Sequence, residues 1–304
     1  MSAQVGYRPG AGYCGRFAPS PTGPLHLGSL VAALASWLDA RAHGGRWLIR
    51  IEDIDPPRER ADAARWQLEA LTALGLASDQ APTYQSANSR RFEQALGQLQ
   101  AAGHLYRCTC SRSAVEQAAL LLARRPDVYS GTCRDLRRTA ARAALRVRVP
   151  AERVGFVDRA RGEFQQMLES EVGDFVVRRA DGLWAYQLAV VVDDGAQQVS
   201  DVVRGADLLD NTPRQIYLQR LLGLPTPSYL HVPIVLNAAG EKLSKQTGAT
   251  ALQLDDPVGQ LEQAWGLLGF APTQTQTVAE FLGHAVLAWR ERWVGLSDRA
   301  DTML

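Results

Sequence analysis

Apolar and polar positions alternate along this chain in two rhythms. "YCGRFAP" (13–19) and "RWLIRIED" (46–53) are short apolar runs of strand length. Between them "SLVAALASWLDARAH" (29–43) repeats its apolar residues at helical spacing, with Ser29 placed to cap it and Gly44 and Gly45 to stop it. The spacing then predicts helices over 58–74 and 88–102, a strand-rich stretch from 143 to 203, a further helix from 211, and a strand in "YLHVPIVLN" (229–237). "LEQAWGLLGF" and "VAEFLGHAVLAWRERW" close the chain as helices. Strands alternating with helices predict an α/β fold with a Rossmann-type parallel sheet. The break in that rhythm predicts an inserted module: residues 1–104 and 186–240 form two halves of a nucleotide-binding type of domain, 105–185 the insert, and 241–304 a loop with a short helical C-terminal segment.

Composition narrows the class without naming a chemistry. At 304 residues, with 46% hydrophobic and 21% charged positions, the chain can bury a large core and does not read as disordered. Its longest nearly apolar run, "LVAALASWL" (30–38), is too short to span a bilayer, and "MSAQVGYRPGAGY" has no secretory pattern, so a cytoplasmic protein with no membrane partner is expected. The net charge of +1 announces no nucleic-acid partner, yet "CRDLRRTAARAALRVRV" (133–149) sets six arginines against one acid, either a solvated surface or a phosphate-binding one.

Three of the four cysteines fall between Cys108 and Cys133. In a reducing compartment that clustering suits a metal better than disulfides. Cys108, Cys110 and Cys133 would supply three soft ligands, and a tetrahedral ion needs a fourth. His104 and Tyr129 both lie close in sequence.

Ligands in open parallel sheets sit at the carboxyl ends of strands, which directs attention to the loop "SPTGPLHLGS" after the first one. Gly23 and Gly28 allow close approach of a nucleotide, the helix start offers N–H groups to phosphate, and His26 can donate to an anionic oxygen. Far along the chain "GEKLSKQTGA" (240–249) holds Lys242 and Lys245, the only lysines among 33 Lys and Arg. A compact ammonium on a flexible stem can follow a phosphoryl group where a planar guanidinium cannot. The retained pair therefore marks a second candidate for phosphate contact.

"RFAPSPTGPLHLGS" together with "KLSKQ" resembles the paired nucleotide-binding motifs of class I aminoacyl-tRNA synthetases in their glutamyl branch. Further matches run through "IRIEDID", "YQSANSRRF", "LYRCTCSR", "YSGTCR", "AYQLAVVVDD", "VVRGADLLDNTPRQ" and "HVPIVLN", covering nearly the whole chain. With about sixty residues after "KLSKQ", no helical anticodon-binding region is expected, and "CTC" with "YSGTC" is similar to the zinc site of the short paralogues.

The resemblance implies activation of glutamate as its adenylate, with ATP and Mg2+ as substrate. It assigns catalysis to His26, Lys245 and Lys242, and ATP binding to Thr22, Gly23, His26, Gly28, Ser29, Lys242 and Lys245. Glutamate would be held by Arg16, Phe17, Ala18, Pro19, Ser20, Glu52, Tyr186 and Arg204. It selects Tyr129 as the fourth ligand, beside Cys108, Cys110 and Cys133, of one structural Zn2+. The acceptor in the short branch is queuosine in the anticodon of tRNA(Asp), and a monomer is expected. Two positions depart from the wider pattern: Ser29 replaces a second histidine, and Val190 stands where standard glutamyl enzymes carry asparagine.

Overall fold

A computed structural model describes residues 12–235 and 250–294. In chain order the first elements are β1 (Cys14–Phe17), α1 (Leu27–Ala42), β2 (Arg46–Ile51), α2 (Ala63–Ala73), β3 (Thr83–Tyr84), α3 (Ser89–Ala101), β4 (Leu105–Cys108) and α4 (Arg112–Leu121). There follow β5 (Ala144–Val147), β6 (Arg153–Asp158), β7 (Gly162–Met167), α5 (Leu168–Glu171), β8 (Val176–Arg178) and α6 (Tyr186–Ala196). The last are β9 (Asp201–Gly205), α7 (Thr212–Leu222), β10 (Ser228–Val232), α8 (Pro257–Leu267) and α9 (Val278–Trp293).

These elements form two compact units. The first takes the chain through Tyr84, Gln198–Leu209 and everything from Pro227 onward. Its β1, β2 and β3 pair in parallel, and so do β9 and β10. Ser200 joins the two groups, because its N–H donates to Cys14 O at 3.0 Å and its hydroxyl accepts from Cys14 N at 2.9 Å, which sets β9 beside β1. Every residue of β1 and all but Arg46 of β2 are buried, the pattern of strands covered on both faces. Helix α1 is buried nearly all round, including Leu30, Leu34 and Leu38, because it packs on these strands on one side and on α8 and α9 on the other. Asp39, fully buried on α1, fixes that packing by accepting from Tyr13 Oη at 2.6 Å and Trp289 Nε1 at 2.9 Å.

The second unit comprises Gln85–Gln197 and Asp210–Thr226. Here β4, β5 and β8 make an antiparallel sheet, and β6 and β7 a hairpin turning at Asp158–Gly162. Helix α3 is amphipathic, burying Phe92, Ala95, Leu96 and Leu99.

The structure corrects three local expectations. Ser29 does not cap α1: His26 is the N-cap, and Ser29 is the third residue of the helix. Helix α2 begins at Ala63 rather than 58, because Pro56 and Pro57 form a separate 3-10 turn and Asp62 adopts φ 61° before the helix starts. The Val-rich "AYQLAVVVDD" within the expected strand stretch is the helix α6, with Gln187 through Asp194 all buried. Burial on every side lets β-branched residues occupy a helix that propensity alone disfavours.

Candidate functional site

Three buried charged residues of the first unit lie at the carboxyl ends of its strands. Arg16 is the third residue of β1, Glu52 directly follows β2, and Arg204 is the fourth residue of β9, so all three sit at carboxyl ends. Their exposures are 3%, 7% and 5%. Charged groups are rarely so buried without a partner or a task. Phe17 is buried, Ala18 and Pro19 half-buried and Ser20 exposed, and the Glu52 N–H donates to Pro19 O at 2.9 Å, which ties the end of β2 to the loop after β1. Arg50, fully buried on β2, donates from Nη2 to Glu52 Oε1 at 3.3 Å and orients that carboxylate.

The loop from 18 to 26 is shaped by α2. Gln67, buried on that helix, donates to Ser20 O at 3.0 Å and to Gly23 O at 2.8 Å, while the Arg60 N–H donates to Pro21 O at 3.0 Å. Gly23 has φ 144°, a conformation that side chains rarely adopt. Thr22, His26, Gly28 and Ser29 are all partly exposed around the helix start.

His26 and Ser29 form a reciprocal cap: Ser29 N donates to His26 Nδ1 at 3.3 Å, and His26 N donates to Ser29 Oγ at 3.4 Å. An Nδ1 that accepts is unprotonated, so the neutral ring carries its proton on Nε2. Beyond the lysine-containing stretch, Ala251 bridges His26, and Leu252 N donates to Leu25 O at 3.0 Å. Lys242 and Lys245 themselves lie outside the described residues. Tyr186 belongs to the second unit, where it opens α6.

The second unit holds the thiol cluster. Cys108 ends β4, Cys110 precedes the Ser111 cap of α4, and Cys133 lies in the following loop, with all three Sγ atoms within 4.8 Å of one another. The Tyr129 hydroxyl lies 3.4 Å from Cys108 Sγ and 3.9 Å from Cys110 Sγ, and it accepts from Cys133 N at 2.8 Å. His104 is not among the clustered groups. Burial pushes the Cys110 thiol up to about 11 and raises the Tyr129 phenol. At Cys133 burial acts upward too, but the Thr109 N–H, the Cys110 thiol and Arg138 outweigh it and bring the thiol down to about 6. The Arg146 guanidinium covers the Tyr129 ring at 3.8 Å, and Gly173, at φ 73°, admits the Tyr129 backbone where any side chain would collide with it.

The arginine-rich stretch divides in two. Arg134 donates to Asp174 at 2.9 Å, Arg146 to Asp174 O at 2.6 Å and Arg148 to Arg134 O at 2.6 Å, so these three are committed to the fold of their own unit. Arg137, Arg138 and Arg142 are exposed.

Sequence reasoning passed over Gln67, Arg50 and His231. Arg50 and His231 are polar residues flanked on both sides by apolar ones within their strands, a signal that was there to read. Nothing in the sequence distinguishes Gln67.

Comparison with known proteins shows the family and the fold. Residues 14–293 match the family of tRNA synthetases class I (E and Q), catalytic domain. The chain is 56% identical over 295 residues to the glutamyl-Q tRNA(Asp) synthetase of Cupriavidus metallidurans, covering 95% of each chain. It is 53% identical to the protein of that name from Leptothrix cholodnii, covering 92% of this chain and 97% of the relative. Its fold is similar to that of a glutamate tRNA ligase from Elizabethkingia meningosepticum, with a TM-score of 0.75 at 23% identity. That match takes in 90% of this chain but only 64% of the larger ligase. The chain therefore belongs to the glutamyl-Q tRNA(Asp) synthetases, a branch of the class I (E and Q) tRNA synthetases, and is a ligase.

Proposed function

We propose that the protein uses ATP to activate glutamate as its adenylate and transfers the glutamyl group to queuosine in the anticodon of tRNA(Asp). The observation that carries this reading is the placement of buried Arg16, Glu52 and Arg204 at the carboxyl ends of their strands, with the loop after β1 leading into a helix capped by His26. Two carboxylates and an ammonium ask for cations, hydroxyls and one acid. Arg16, Ser20, Tyr186 and Arg204 supply the first two, Glu52 meets the ammonium, and Phe17, Ala18 and Pro19 complete the wall.

Thr22, Gly23, Gly28 and Ser29 line the path of ATP, whose Mg2+ offsets phosphate charge. The attacking carboxylate oxygen forms a bond to the α-phosphorus as the bond to pyrophosphate breaks. His26 through Nε2–H and Lys245 meet the charge that builds on the phosphoryl oxygens, with Lys242 beside them.

The thiol cluster fits a structural zinc ion held by Cys108, Cys110, Tyr129 and Cys133. With Zn–S near ~2.3 Å, a tetrahedral S···S edge is about 3.8 Å. The observed Cys110–Cys133 separation is 3.6 Å. Closed by four protein ligands, such an ion pins residues 105–185 and does no chemistry. Among the described residues no helix is long and apolar enough to cross a membrane, and the reading places the enzyme in the cytoplasm as a monomer.

The decisive experiment offers labelled glutamate and ATP with tRNA(Asp) containing or lacking queuosine, and with tRNA(Glu). Label is expected on queuosine-containing tRNA(Asp) alone. Label on tRNA(Glu) would replace this reading with charging of a tRNA end.

A further inference from the structure

Arg204 and His231 are direct neighbours in the parallel register of β9 and β10, so their side chains leave the same face of the sheet. Both are buried, His231 completely. The Arg204 Nε donates to His231 Nε2 at 3.0 Å, its Nη2 reaches Leu208 O at 3.4 Å, and the guanidinium lies 5.5 Å above the Tyr229 ring. Tyr229 and His231 in turn stack, at 6.1 Å between ring centres.

A buried imidazole beside a guanidinium is an unusual choice. An imidazolium and a guanidinium in one dry place would repel, so His231 accepts here as the neutral ring with its proton on Nδ1. Its Nε2 lone pair then does one thing to the arginine: it fixes the rotation of the fork about the end of the side chain. A carboxylate can meet a guanidinium side-on, through Nε and Nη2, or end-on, through Nη1 and Nη2. With Nε given to His231, the end-on approach is the one that keeps this bond in place. The Tyr229 ring below the guanidinium restrains tilt out of that plane.

We propose that His231 is a positioning residue for amino-acid selection, orienting Arg204 for end-on capture of a substrate carboxylate. The inference rests on the reading of Arg204 as part of the glutamate site. His231 touches no reacting atom and acts through the arginine, so its removal should loosen glutamate and leave ATP alone.

The test is ATP–pyrophosphate exchange by the full chain in the presence of tRNA(Asp), with KM for glutamate and for ATP measured separately. His231→Leu keeps apolar volume but loses the acceptor. It is expected to raise the KM for glutamate at least tenfold, with kcat and the KM for ATP within about twofold of the parent. His231→Gln puts an oxygen near the place of Nε2 and is expected to bring the KM for glutamate back to within about threefold of the parent. If His231→Leu leaves the glutamate KM unchanged, or if both variants raise the two KM values together, the proposal is wrong. Arg204→Ala separates the levels. A raised glutamate KM there with normal His231 variants sinks only the role of His231, whereas an unchanged KM sinks the assignment of Arg204 itself. Should His231→Leu fail to fold, the unaltered protein still decides. A 15N–15N coupling across the Arg204 Nε–H···Nε2 bond is expected in labelled protein, and its absence would overturn the proposal.

Discussion

The side-chain amide of Gln67 donates to the carbonyl of Gly23 at 2.8 Å, across 44 residues of sequence, and a second bond from the same nitrogen holds Ser20 O. The loop that faces ATP in the proposed reading is thus shaped by a neutral residue on α2. Gln67→Leu leaves two loop carbonyls without that donor, a loss on the order of 1–3 kcal/mol where such groups are buried. Because displacing a bound group by about 1 Å can lower rate ~100-fold, exchange activity should fall far more than the melting temperature. Full activity in Gln67→Leu would show that the loop keeps its shape without the clamp.

His26 has two separable roles. As N-cap it holds Ser29 N, and in the proposed mechanism its Nε2–H meets a phosphoryl oxygen. Asparagine is among the best N-cap residues, whereas alanine costs about 1 kcal/mol at such a site. His26→Asn should therefore melt near the parent temperature yet lose about 100-fold or more in kcat, as removal of a transition-state donor does. His26→Ala should lose both. Wild-type turnover in His26→Asn would leave the histidine with the cap alone.

Metal analysis checks the thiol cluster directly. The purified protein should carry about one zinc per chain, and chelation should lower its melting temperature. Tyr129→Phe should weaken retention at least ~10-fold, the scale on which even outer partners of a metal site act. His104→Ala should leave the zinc content unchanged. Loss of zinc on His104→Ala together with full retention in Tyr129→Phe would reverse the two assignments.

Arg137, Arg138 and Arg142 are the exposed members of the basic stretch. If each neutralises one RNA phosphate, replacing all three with alanine should make the slope of log affinity for tRNA(Asp) against log salt shallower by about 2–3. Binding would weaken, and because Arg138 also acts on the Cys133 thiol, melting should stay unchanged only in the Arg137→Ala, Arg142→Ala double variant. Arg134→Ala should instead lower the melting temperature, because it strips a partner from buried Asp174. An unchanged salt slope in the triple variant would remove these residues from the RNA surface.

Asp79 supplies a pH dependence. Burial acts to raise its carboxyl, but Arg41, at 2.7 and 2.9 Å, and the Trp47 N–H, at 2.6 Å, outweigh that and hold it below the ordinary 3.8. A depressed carboxyl stabilises the fold fully above its unfolded value and ceases to as pH falls through the lower folded one. The melting-temperature gap between the parent and Asp79→Asn should thus be widest at neutral pH and close below about pH 3.8. A gap that does not narrow as pH falls below about 3.8 would assign the effect to packing.

The local chemistry of this protein was readable from its residues because it is written in short spans. A strand, a Gly-containing loop and a helix start occupy residues 14–42, and the same span carries Arg16 and His26. Cys108 and Cys110 are likewise set by one intervening residue at the end of β4. Backbone geometry within such spans follows from steric rules that act over a few positions.

Tertiary packing decided the rest, because burial and long-range partners have no local sign. It made a helix of Val190–Val192, which alternation and propensity read as strand, by enclosing that segment on all sides. It moved the cap of α1 from Ser29 to His26, since a cap is chosen by where the chain leaves extended geometry and not by residue type alone. It set the Tyr129 hydroxyl and not His104 among the thiols, and it brought Gln67, Arg50 and His231 against groups that the sequence marked without them. Residue types announce which chemistry is possible, and only the folded chain determines which polar atoms meet at about 3 Å.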